Sequence, residues 1–134
     1  EKLIDYLDLA GDVEEEEKID TVIAQADAYV GLARSLSLAG DLVPALESVM
    51  RARKLYALSG TSTSASNTRA VVAGSFEAEI LLKLERHREA LGSMQGSYKL
   101  AMEAEKKNHE LIQQIKDSLF QLRSALGVKD DEEL

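Results

Sequence analysis

Cysteine is absent from this 134-residue chain, proline occurs once and phenylalanine twice. Without cysteine there is neither a disulfide framework nor a thiolate metal site. That is compatible with a reducing compartment, and the expected location is intracellular, cytoplasmic or nuclear. A single proline and few aromatics, beside abundant Ala and Leu, point to an all-helical chain. No apolar run reaches the ~18 residues that a membrane crossing takes, and no signal peptide is visible, so no membrane partner is expected. Bases are also in deficit: 16 Lys and Arg stand against 24 Asp and Glu, a net charge of −8. Phosphate recognition needs a cationic face, so nucleic acid is not expected as a partner either. The length suits one domain with a modest core.

Catalytic signatures are missing too. His87 and His109 are the only histidines, on different elements, with no cysteine partner and no second histidine at metal-binding spacing. No strand-turn-helix nucleophile motif and no glycine-rich phosphate loop occur. Asp5 and Asp8 share one helical face, where exposed acids are the ordinary reading. Glu14 to Glu17 are consecutive, so on a helix they point in different directions and cannot converge on one ion; they suit the N-terminal end of a helix dipole instead. No enzyme activity, metal or cofactor is expected.

What is present is a helical hairpin over Asp27–Tyr56. Tyr29, Leu32, Ala33, Leu36 and Leu38 recur at three- and four-residue spacing, as on a helix with one buried face. Gly40 suits a left-handed C-cap, Asp41 an N-cap, and Pro44 the first turn of the next helix. That second helix is predicted to bury Ala45, Val49, Ala52, Leu55 and Tyr56. Ala33 and Ala45 are small where two antiparallel helices approach closely.

These residues resemble a tetratricopeptide repeat, whose pattern falls on Tyr29, Leu32, Ala33, Leu36, Gly40-Asp41, Ala45 and Ala52, with Val49 where an aromatic is usual. Shifted by 45 residues, Ala78, Leu81, Ala90 and Met94 fall on Ala33, Leu36, Ala45 and Val49. Gly74 and Glu77 then replace Tyr29 and Leu32, and the turn becomes Glu85-Arg86-His87 without a glycine. A further shift brings Leu119, Leu122 and Leu126 into register, with Arg123 where a small residue belongs; shifted backwards, Ile4 and Leu7 match Val49 and Ala52. The family's usual period is about 34 residues, so this is a long-repeat variant. The resemblance implies antiparallel hairpins stacked as a right-handed superhelix of five to six helices.

The expected organisation is a half repeat or capping helix over 1–12, stopped at Gly11-Asp12. Repeat one spans 14–58, a flexible Ser/Thr-rich loop 59–67, repeat two 68–107, a capping helix 109–127 and an acidic tail 128–134. The loop is read as a tolerated insertion, with phosphorylation opposite Arg53, Lys54 or Arg69 as the functional alternative. Because the chain opens on Glu1 and on half a repeat, it is read as an excerpt of a longer protein. Arg51-Arg53-Lys54 and Arg86-His87-Arg88 are read as solvated faces. Gly92 and Gly96, inside a predicted helix, are read as allowing close approach of a neighbouring helix, with a loose helix as the alternative.

The resemblance further implies a protein-binding scaffold whose concave groove holds a peptide or helical segment of a partner. Its lining would be Asp27, Val30, Arg34, Ser37 and Leu38 in repeat one and Val72, Ser75, Glu79, Leu82 and Lys83 in repeat two. Val30, Arg34, Ser75 and Glu79 stand where receptors of chaperone tails carry Lys and Asn, which argues against that ligand. The alternatives are an architectural arm packed on neighbouring domains, and self-association through the exposed repeat ends.

Overall fold

The computed structural model describes the backbone of residues 2–60, 64–104 and 106–127, and the side chains from Lys18 onward within those ranges except at 64 and 65. Expectations for side chains of 1–17, the loop at 61–63 and the acidic tail 128–134 lie outside the described residues. Among the described residues five α-helices follow in order: α1 Lys2–Leu38, α2 Leu42–Ser59, α3 Ser64–Lys83, α4 His87–Glu103 and α5 His109–Leu126. No strand occurs among the described residues. Each helix packs on its neighbours in the chain, most extensively α1 on α2 and α3 on α4. The fold is therefore all-α, built of antiparallel hairpins with α5 laid against the second.

The two hairpins share one template, offset by 45 residues. In the first turn the Asp41 amide donates to the Leu36 carbonyl at 2.9 Å and the Gly40 amide to Ser37 at 3.1 Å. In the second, Arg86 donates to Leu81 at 2.8 Å and Glu85 to Leu82 at 3.0 Å. Both are Schellman closures, which need a left-handed residue after the helix. Gly40 supplies it at φ +86° and Glu85 at φ +62°. A non-glycine residue pays about 1 kcal/mol there, which explains why the second turn carries no glycine signal yet keeps the same form. Asp41 and Arg86 occupy the N-cap positions, but neither side chain makes a capping bond. The expected Asp41 cap is corrected accordingly.

Burial follows the same offset. Ala26 and Val71, Ala33 and Ala78, Ala45 and Ala90, Leu46 and Leu91, Val49 and Met94, Ala52 and Ser97, Tyr56 and Ala101 are all buried pairs 45 residues apart. α5 buries Ile112, Ile115, Leu119 and Leu122, and ends at Gly127 in the left-handed conformation. Asn108 opens it, its side chain accepting from the Leu111 amide at 3.0 Å.

Several boundaries differ from the sequence reading. α1 continues through Gly11-Asp12 without a stop; one glycine costs about 1 kcal/mol in a helix interior and is insufficient by itself to end one. Helix α3 begins at Ser64, so the expected loop 59–67 is helical in its second half. Ser66 and Asn67 are buried, and Asn67 Nδ2 donates to the Leu100 carbonyl at 2.9 Å, so Asn67 is held by α4. Leu32 and Leu38 are 48 % and 89 % exposed, not inward-facing. The position equivalent to Leu32 is Glu77, which meets α2 of the preceding hairpin; no described helix precedes α1 to cover Leu32.

Glu77 is the second hairpin's main departure from an apolar core. Buried to 7 % exposure, it accepts from Arg53 at 2.6 Å and from the Ser93 hydroxyl at 2.5 Å. This polar cluster joins α2, α3 and α4. Arg53 is thus an internal partner and not part of a solvated face. Glycine placement follows from it. A Cβ on Gly74 would lie 2.1 Å from Ser97 Oγ and 3.6 Å from the Arg53 guanidinium carbon, so α3 approaches α4 closely there. At Gly92 a Cβ would meet nothing within 4 Å, and at Gly96 only Arg53 Nη2 at 3.8 Å. The close approach expected at Gly92 and Gly96 is therefore corrected: it lies at Gly74. Gly92→Ala should accordingly raise stability by about 0.5–1 kcal/mol, measured as a higher urea midpoint, since it gains helix propensity without a clash.

Candidate docking groove

On one side of the two hairpins an open groove of about 850 Å³ runs along α3. One wall is the end of α1, with Arg34, Ser37 and Leu38; the floor and second wall are α3, with Val72, Ser75, Phe76, Glu79, Leu82 and Lys83. His87 and Met94 reach it from α4, and α5 closes the far side with Leu111, Gln114, Ile115, Ser118, Gln121, Leu122 and Ala125.

Eight of the ten residues expected to line a groove do so: Arg34, Ser37, Leu38, Val72, Ser75, Glu79, Leu82 and Lys83. Asp27 and Val30 do not. Asp27 accepts from the Tyr56 hydroxyl at 2.5 Å and lies 3.7 Å from Arg69, so it ties α1 to α2 and α3. Burial first, and then this bond to Asp27, hold the Tyr56 phenol well above its ordinary pKa. Val30 is half-buried against the core. Both expected lining residues are spent on packing.

Polar contacts draw α1 and α3 together along the groove. Lys83 Nζ donates to Ser37 Oγ at 3.2 Å, and the Arg34 guanidinium lies 5.8 Å from the centre of the Phe76 ring, within cation–π range. The Ser75 hydroxyl is buried without a hydrogen-bond partner. The groove therefore combines apolar side chains on its floor with polar ones, which make up nine of its eighteen lining residues.

Two features escaped the sequence reading. Phe76 lies between Val72 and Glu79 on the same stripe, and its i, i+4 spacing from Val72 marked it. The α5 wall carried a fainter signal: Gln114, Ser118, Gln121 and Ala125 form a small and polar stripe beside the leucines. These are not the positions that a continued 45-residue register would place beside the other two helices, namely Asp117, Phe120 and Ser124. None of those three lines the groove. α5 is consequently a side wall, and the groove is a cleft between α3 and α5 with α1 at its mouth.

Among the described residues no group of three or more His, Asp or Glu side chains is placed to hold a metal ion. Among the described residues no helix is long and apolar enough to cross a membrane. Comparison with family models, curated proteins and solved structures gave no match.

Proposed function

We propose that this chain is a non-catalytic interaction module of tetratricopeptide type that holds a peptide or helical segment of a partner protein, inside the cell, in the cleft between α3 and α5. The observation that carries the reading is the convergence of residues from two hairpins, 45 apart in register, on one open cleft with an apolar floor and polar rim. Such clefts between helices take amphipathic or extended segments, with apolar anchors giving affinity and rim groups giving orientation.

Capture from lysate tests this. The chain is compared with Leu38→Ser/Leu82→Ser, after circular dichroism shows equal helicity. Prey bound by the chain and lost from the variant is the expected result, because the substitutions remove apolar lining at the mouth and on the floor that a bound segment would cover. Prey retained equally by both moves binding to another surface.

A second reading, the architectural arm, is favoured by a specific observation. Val43, Met50, Leu58 and Phe120 are 56 %, 44 %, 78 % and 57 % exposed outside the groove. A chain packed on neighbouring domains, or on itself through its ends, would cover them.

A further inference from the structure

Resting on the groove reading, we infer that the occupant is acidic and amphipathic: a partner-protein segment with apolar side chains on one face and carboxylates beside them. Charge complementarity at the groove favours such a segment. Acids outnumber bases 24 to 16 in this chain, so a site whose lining holds more bases than acids runs against the overall charge. Arg53, Arg69 and Arg86 each pair with an acid of the chain itself. Arg34 and Lys83, on the groove, have no carboxylate within ion-pair distance among the described residues. Arg34 rests on the Phe76 ring and Lys83 on the Ser37 hydroxyl. Both contacts hold the cationic heads beside the groove without neutralising them. The α5 wall contributes no charged side chain, and Glu79 is the single acid among the lining residues. A net-negative chain thus presents two bases against one acid here, beside the apolar floor of Val72, Phe76 and Leu82 and Ile115 of the α5 wall. Carboxylates of an incoming segment would meet Arg34 and Lys83, while its apolar face covers that floor. An acidic face would also steer encounter despite repulsion by the rest of the chain.

The probe is a displayed library of random dodecapeptides, selected on the intact chain and counter-tested on two variants. Leu38→Ser/Leu82→Ser alters the apolar lining of mouth and floor; Arg34→Glu/Lys83→Glu reverses the rim, at two exposed side chains. The expected result is enrichment of net-negative peptides with spaced apolar residues. Their affinity should fall on the order of tenfold with the reversed rim and weaken with added salt. Enrichment of neutral or basic peptides, or acidic peptides indifferent to rim reversal, overturns the acidic occupant and leaves the groove reading standing. If no enriched peptide loses affinity for the altered floor, the groove reading falls as well.

Discussion

Arg53→Ala is expected to lower the stability of this chain by about 2–3 kcal/mol in urea unfolding. Glu77, at 7 % exposure, would then keep its carboxylate inside with the Ser93 hydroxyl as its remaining hydrogen-bond donor. A fully buried pair broken on one side typically loses about 3–5 kcal/mol; the Arg53 side chain is 34 % exposed, so water reaches it and the loss is smaller. Arg53→Met/Glu77→Leu removes both charges, restores the leucine found at the equivalent position of the first hairpin, and should be neutral to within about 1 kcal/mol. The two results together separate the cost of stranding a carboxylate from the net worth of the pair. A double variant as unstable as Arg53→Ala would mean that the cluster cannot be replaced by apolar packing at all.

Ala33→Leu and Ala78→Leu should each destabilise by about 2–3 kcal/mol, by nearly the same amount. Both alanines are fully buried, as are Ala45 and Ala90 on the partner helices of the same hairpins. Small residues at these sites set the distance between paired helices, and three added carbons must force the pair apart. Ala28→Leu, on an exposed face of α1, should stay within about 0.5 kcal/mol. Denaturant midpoints of the three variants decide the matter. A silent Ala78→Leu beside a damaging Ala33→Leu would show that the second hairpin is packed differently despite its matching turn.

Most of this architecture was legible because it is written in local chemistry. The run from Tyr29 through Ala33 to Leu36, the Gly40-Asp41 turn and the alanines at 33 and 45 give a hairpin by periodicity and sterics alone. Sliding that pattern located the second hairpin, although Glu85 hides its turn, because the buried alanines survive. What was not legible depends on partners distant in sequence. Nothing near Glu77 announces that Arg53, 24 residues earlier, makes it an interior residue. Asn67 sits in a run that composition marks as loop, and only the Leu100 carbonyl explains its burial. The same limit applied to the groove. Eight of the residues that the repeat resemblance implies for a groove line the cleft, whereas Asp27 is held by a bond with Tyr56 and the α5 wall required knowing how that helix lies.

The central claim is that the cleft between α3 and α5 is where a partner segment docks. The most direct measurement is amide and methyl NMR of the labelled chain titrated with a segment of a captured partner. Shifts concentrated at Val72, Ser75, Leu82 and Ile115, with Val43, Met50 and Leu58 unmoved, are the predicted result. Shifts confined to those three outer residues, with the cleft silent, would contradict it and make this chain an architectural arm.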